Sequence, residues 1–120
     1  MENVAIIGAS AKEDRYSFKA QKMLVEHNHK PFPVNPYGGE VLGVECFKSV
    51  TEITDPIDTV TLYVAPKRLS GMIDDIIALK PKRFIFNPGT EDSALIAKVK
   101  EAGIEALEAC TLVMLSTDQF

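Results

Sequence analysis

The chain has 120 residues, of which 46% are apolar and 25% charged, so its length and composition are those of one globular domain, residues 1–120. Its net charge of −4 argues against a general affinity for nucleic acid or for a membrane surface, although a local basic patch is compatible with it. No apolar run reaches the ~20 residues that cross a bilayer, no signal peptide is visible, and two distant cysteines do not form a disulfide framework, so we expect a soluble, cytoplasmic protein.

The chain begins with a predicted strand, helix and strand. Residues 4–7 (VAII) form a continuous apolar run, which is typical of a parallel strand covered on both faces. We predict that Ser17 caps the following helix and that Asn28 ends it in the left-handed conformation. Residues 31–36 (PFPVNP) predict a second strand, whose prolines limit its ladder hydrogen bonds.

After a loop with a small hairpin, strands and helices alternate. The later strands are predicted at residues 58–64, 83–87 and 104–110. Pro66 begins the first of the helices between them and Pro81 stops it. Thr90 caps the second, and Gly103 ends it. The tail, residues 111–120, is either a short helix or an irregular segment.

This alternation predicts an α/β fold with a five-stranded, mainly parallel sheet and helices on both faces, which makes three layers. Ligands bind such sheets outside the carboxyl ends of the strands. The four loops at those strand ends therefore contain the candidate site residues. These loops are residues 8–16, 35–39, 65–68 and 87–91.

Basic residues crowd the starts of two predicted helices, where the helix dipole disfavours positive charge. Lys12, Arg15 and Lys19 surround the start of the first helix, and Lys67 and Arg68 lie in the first turn of a later one. A bound anion would neutralise both clusters. In a second interpretation, these long side chains simply extend into water.

The first strand-end loop contains small residues but no dinucleotide fingerprint. Gly8 permits a tight turn, and Ala9 and Ser10 leave room for a ligand close to the backbone. The loop lacks the G-x-G-x-x-G pattern, and the second strand ends in Asn-Pro-Tyr (residues 35–37) instead of the acid that bonds the ribose of NAD. The proline and tyrosine can pack against an adenine ring, or they can form a rigid turn into the hairpin. The absence of an acidic residue at the end of the second strand favours a ligand with a phosphorylated ribose over a ligand with free ribose hydroxyls.

The sequence offers no catalytic constellation and no metal-ligand spacing. We interpret His27 and His29 as a solvated helix end and Cys46 as a small apolar filler. Cys110 ends the last strand on the binding edge. Its thiol can meet a ligand thiol there, although we favour burial without reactivity.

Taken in order, these motifs resemble a known family. The stretches VAIIGAS, YSFKAQKML, PVNP, LYVAP, FNPGTED and EACTLVML follow one another along nearly the whole chain. In this they resemble the small single-domain CoA-binding proteins, which are similar to the N-terminal CoA-binding domain of the succinyl-CoA synthetase alpha subunit. The resemblance implies a Rossmann-like domain that binds coenzyme A, or an acyl-CoA, through its ADP part.

The resemblance also implies the positions of the site residues. The diphosphate would be held by Gly8, Ala9, Ser10, Arg15 and Ser17. The adenosine would lie along Asn35, Pro36 and Tyr37, flanked by Val64, Ala65 and Pro66 and closed off by Asn87, Pro88 and Gly89. Many relatives carry a basic residue where this chain has Tyr37. The remaining candidates for the 3′-phosphate are therefore Lys12, Lys19, Lys67 and Arg68.

We expect a non-catalytic carrier, sensor or regulatory module, because the phosphorylated histidine of the synthetase belongs to a second domain outside these residues. One alternative is an NAD(P)-binding enzyme, which the missing glycines and the missing acid disfavour. Another is a protein-interaction domain with a vestigial nucleotide pocket. The apolar tail, residues 111–120, suits a contact in a homodimer or with an unidentified protein partner, and it can equally pack on its own sheet.

Overall fold

A computed structural model describes all 120 residues and contains seven strands and five α-helices. The strands are β1 (Asn3–Ile7), β2 (Lys30–Val34), β3 (Glu40–Val41), β4 (Val44–Glu45), β5 (Thr59–Leu62), β6 (Arg83–Phe86) and β7 (Glu105–Glu108). The helices are α1 (Tyr16–Glu26), α2 (Pro66–Ser70), α3 (Ile73–Ile77), α4 (Ser93–Glu101) and α5 (Thr111–Ser116). The predicted alternation and hairpin are confirmed, and the tail forms a helix. None of the helices combines the length and the apolar character that crossing a membrane requires.

Five strands form one parallel sheet in the order β2-β1-β5-β6-β7, while β3 and β4 pair separately as the antiparallel hairpin. The prolines of β2, Pro31 and Pro33, therefore lie on an edge strand, where a missing N–H removes few ladder hydrogen bonds. The predicted α/β class is confirmed.

Side chains that alternate along β1 contribute to two cores, one on each face of the sheet. Ala5 and Ile7 belong to the larger core, together with buried residues of α2, α3 and α4. Val4 and Ile6 belong to the smaller core, together with residues of α1 and α5. Helices therefore cover both faces, which makes the three layers that the sequence predicts.

Two predicted helix caps are wrong. Arg15 occupies the cap position of α1 without any side-chain cap hydrogen bond, and Ser17 lies inside the first turn, where it is buried. At α4 the cap is Asp92, whose Oδ1 accepts hydrogen bonds from the amides of Ala94 and Leu95 at 3.0 and 3.1 Å. Thr90 lies three residues before the start of α4, in a turn where its amide and its hydroxyl both donate to the carbonyl of residue 87.

The helix predicted between Pro66 and Pro81 is interrupted. Pro66 does occupy the first position of α2, where its missing N–H leaves no carbonyl unpaired. The helix ends at Gly71, and a second short helix, α3, begins two residues later. Glycine costs about 1 kcal/mol relative to alanine inside a helix, which explains why the break occurs there.

Candidate functional site

A cleft of about 420 Å³ opens at the carboxyl edge of the parallel sheet, where the loops after β1, β2, β5 and β6 meet. Most of the predicted site residues line it. They are Gly8, Ala9, Ser10, Lys12, Arg15, Ser17, Asn35, Pro36, Tyr37, Val64, Ala65, Arg68, Pro88 and Gly89. The structure therefore brings together residues from four loops that are far apart in the sequence, as the topology of a parallel sheet requires.

Gly8 forms the floor of the cleft at a point where only glycine fits. Its φ of +90° is unfavourable for other residues, and a Cβ there would lie 2.9 Å from Cγ1 of Val64 and 3.0 Å from the carbonyl oxygen of Tyr63. The amides of Gly8 and Ala9 both donate to the carbonyl of Val34, which ties this loop to β2. The close approach of the loops after β1 and β5 leaves the small residues of the first loop facing the cleft.

Asn35 fixes the second loop against the first. Its Nδ2 donates to the carbonyl of Ala9 at 2.8 Å, and its Oδ1 accepts from the amide of Tyr37 at the same distance. The ring of Tyr37 remains 93% exposed at the cleft. Asn35 therefore holds the shape of this wall, and the aromatic ring of Tyr37 is free to contact a ligand.

Three basic side chains line the cleft, those of Lys12, Arg15 and Arg68. None of the three ion pairs of the structure includes them. The first turn of α1 beside them has neither an acidic residue nor a side-chain cap. The unpaired N–H groups at a helix start repel cations and attract anions. The three basic side chains are therefore unfavourable at this position unless an anion binds beside them.

Four predicted site residues do not line the cleft, namely Lys19, Pro66, Lys67 and Asn87. The ammonium group of Lys19 lies 5.6 Å from the centre of the Tyr16 ring, on α1. Lys67 is exposed at the start of α2. The side chain of Asn87 is buried and bonded within the protein. A residue next to a lining residue in the sequence need not line the cleft itself, because neighbouring side chains on a helix or turn face different directions.

Sequence reasoning missed Tyr16, Tyr63 and Thr90, which also line the cleft. Tyr16 and Tyr63 also line a smaller side pocket of about 210 Å³. The other residues that line this side pocket are Asn87, Pro88, Cys110 and Leu112. The prediction that Cys110 is buried is wrong, since its side chain is only partly covered at the start of α5. Cys46 is buried as predicted. The one sequence signal that could have identified Tyr63 is its position just after an apolar strand.

Tyr63 lies between the cleft and the side pocket, and its hydroxyl is buried without a hydrogen-bond partner. The neighbouring hydroxyls of Thr61 and Thr111 bond to each other at 2.8 Å. Burial raises the pKa of Tyr63 to about 12, a rise that these two hydroxyls offset only in part. Tyr63 is therefore a neutral phenol at physiological pH and a poor general base.

We expect Tyr63→Phe to remove part of the loss of stability at high pH. Because burial raises the pKa of Tyr63 above its ordinary value of 10, the stability linked to its proton is complete below pH 10 and is lost as the pH rises through about 12. Between pH 8 and pH 11 the wild type should lose about 1 kcal/mol more than the variant, measured by urea unfolding. Identical losses in both proteins would contradict this, and Tyr16→Phe, which removes an exposed hydroxyl, is the matched control.

Residues 2–116 match the family described as the CoA binding domain, which is nearly the whole chain. The chain belongs to the CoA-binding domain family. The resemblance given by the sequence motifs is thereby confirmed.

The chain is also similar to a solved structure and to curated proteins. A solved crystal structure of an uncharacterized protein superposes with a TM-score of 0.95 at 42% identity, covering 100% of this chain and 98% of that one. The uncharacterized protein YneT of Bacillus subtilis is 28% identical over 102 residues, 85% of this chain and 76% of YneT. An ADP-forming acetate–CoA ligase of Methanocaldococcus jannaschii is 40% identical over 63 residues. That match covers 52% of this chain but only 9% of the ligase, so it concerns a small part of the larger enzyme.

Proposed function

We propose that this CoA-binding domain binds coenzyme A, or an acyl-CoA, through the ADP part of the ligand in the cleft at the carboxyl edge of the sheet. The observation that carries the proposal is the set of three unpaired basic side chains, Lys12, Arg15 and Arg68, around a small-residue loop and an uncapped helix start. A diphosphate is the group that such a site suits, because backbone N–H groups and cations both bind phosphate oxygens.

The lining residues give the ligand a direction across the cleft. The diphosphate would lie on the loop from Gly8 to Ser10, with Arg15 beside it. The adenosine would extend towards Pro36 and Val64, and the pantetheine arm towards the opposite rim. That rim contains Pro88 and leads into the side pocket with Cys110. A thiol or a small acyl group would then lie near that largely apolar pocket.

The chemistry of the lining supports a binding function in preference to catalysis. No aspartate, glutamate or histidine lines the cleft, so the groups that most often transfer protons in enzymes are missing from it. The raised pKa of Tyr63 keeps its hydroxyl protonated. We therefore propose a carrier, sensor or regulatory module that holds CoA without transforming it.

A ligand comparison by thermal shift tests the proposal. CoA, dephospho-CoA, NAD and NADP would each be added to the wild type at equal concentrations. A ligand at 100 times its Kd stabilises the folded state by about 2.7 kcal/mol, so CoA should give the largest rise in Tm. A larger rise with NAD or NADP would favour the dinucleotide enzyme, and no rise with any ligand would favour a vestigial pocket.

A further inference from the structure

A second pocket, of about 440 Å³, adjoins the cleft on the side of β2 and α2, and we call it the β2–α2 pocket. Its lining includes Val34, Lys48, Met72 and Asp75. Four residues line both the cleft and the β2–α2 pocket, namely Gly8, Pro36, Val64 and Arg68. The two spaces are therefore adjacent, so a ligand that binds in the cleft has the β2–α2 pocket beside it.

Lys48 brings a positive charge to this pocket from a distant part of the sequence. It lies after β4, and its backbone amide donates to Oε1 of Glu52 at 3.0 Å, which fixes the start of the turn at Val50–Glu52. Its side chain passes over Gly38, where an added Cβ would lie 3.1 Å from Cε of Lys48. The absence of a side chain at position 38 leaves space for this path, and Lys48 lines the pocket together with Pro36.

The charges around the β2–α2 pocket suit a further phosphate. Lys48 and Arg68 both line it, and neither forms an ion pair. Asp75 is the one acidic residue among the lining side chains, so the pocket has an excess of positive charge. Between these groups the wall is apolar, with Val34, Val64 and Met72, as the face of a base or a ribose requires.

The neighbouring turn itself supplies no such charge. Tyr37 has no cationic group, is 93% exposed, and lines the cleft but not the β2–α2 pocket. Of the lysines near the predicted helix starts, Lys19 and Lys67 line neither space, and Lys12 lines only the cleft beside the first loop. Among the basic residues, only Lys48 and Arg68 line the β2–α2 pocket.

We propose that Lys48, together with Arg68, binds the 3′-phosphate on the ribose of the ligand, so that the protein selects a 3′-phosphorylated adenosine nucleotide over its dephosphorylated form. This inference rests on the proposed function, since it requires the adenosine to enter the β2–α2 pocket from the cleft. Lys48 is then a specificity-determining residue, and the diphosphate contacts near Arg15 supply the affinity that both nucleotides share.

The test compares the Kd values of CoA and dephospho-CoA for the wild type and for Lys48→Met by calorimetry. The wild type should bind CoA about tenfold more tightly or better, because one charge-assisted hydrogen bond to a phosphate is of that order. Lys48→Met should lose most of this preference by weakening CoA binding, while its Kd for dephospho-CoA stays within about twofold of the wild type. Lys22→Met removes the same charge from α1 outside both pockets and should leave both affinities unchanged.

The outcomes separate this inference from the proposed function. A wild type that binds CoA and dephospho-CoA equally, or a Lys48→Met variant that weakens both to the same extent, overturns the role of Lys48 and leaves CoA binding intact. A wild type that binds neither nucleotide overturns the proposed function and this inference together. An unchanged Tm in Lys48→Met shows that the protein remains folded, as expected for an exposed side chain.

Discussion

Replacing Arg15 with glutamate is expected to weaken CoA binding by about 100-fold, which corresponds to about 2.7 kcal/mol. Arg15 lines the cleft at the start of α1 and has no acidic partner in the protein. The variant would remove a charge-assisted hydrogen bond to the diphosphate and put a carboxylate beside it, so attraction changes to repulsion. Titration calorimetry with CoA would measure the change in Kd.

The same variant should leave the fold intact. Arg15 is exposed, it makes no cap hydrogen bond with its side chain, and an acidic residue near a helix start is favourable in the absence of a ligand. The Tm of ligand-free Arg15→Glu should therefore equal or slightly exceed that of the wild type. The matched control is Lys22→Glu, which makes the same change of charge farther along α1, outside the cleft. Equal affinities for CoA in Arg15→Glu and Lys22→Glu would refute the diphosphate site.

Asn87→Ala is expected to destabilise the ligand-free protein by about 3 kcal/mol, because it removes three hydrogen bonds at a buried position. The Nδ2 of Asn87 donates to Oγ1 of Thr61 at 2.7 Å and to the carbonyl of Leu62 at 2.9 Å. Its Oδ1 accepts from the amide of Thr111 at 2.9 Å, at the start of α5. One amide therefore joins the ends of β5 and β6 to the last helix.

Urea unfolding gives the free energy of unfolding of this variant, and the Tm should fall by about 12 °C. Asn35→Ala is the comparison, since it truncates the same side chain at a half-buried position where water can replace both of its hydrogen bonds. We expect it to cost about 1 kcal/mol. Equal losses in the two variants would show that burial of the Asn87 network is not the cause.

Much of the fold follows from signals that act locally. Prolines in the second strand indicate an edge position, Asn28 adopts a φ of +66°, and Gly103 ends α4 at +81°, all as their chemistry predicts. The cap of α4 was missed because Thr90 and Asp92 are both good cap residues. The structure uses Asp92, and Thr90 instead lies in a local turn that its own hydrogen bonds to residue 87 close.

The candidate site, like the fold, could be predicted from the sequence only in part. The topology of a parallel sheet identifies the four loops that meet, so most lining residues could be named from the sequence. The direction of each side chain could not be predicted from the sequence. Asn87, for example, turns inward because its hydrogen-bond partners are contributed by other segments. Lys48 was missed since its path over Gly38 depends on how the hairpin folds back on β2.

A crystal structure of the protein with CoA would show directly where the ADP part of the ligand binds. The diphosphate should lie within hydrogen-bond distance of the backbone amide of Ser10 and of the guanidinium of Arg15, with the adenosine beside Pro36 and Val64. CoA bound at any other surface, or a cleft that stays empty at concentrations of CoA that saturate binding in solution, would contradict it.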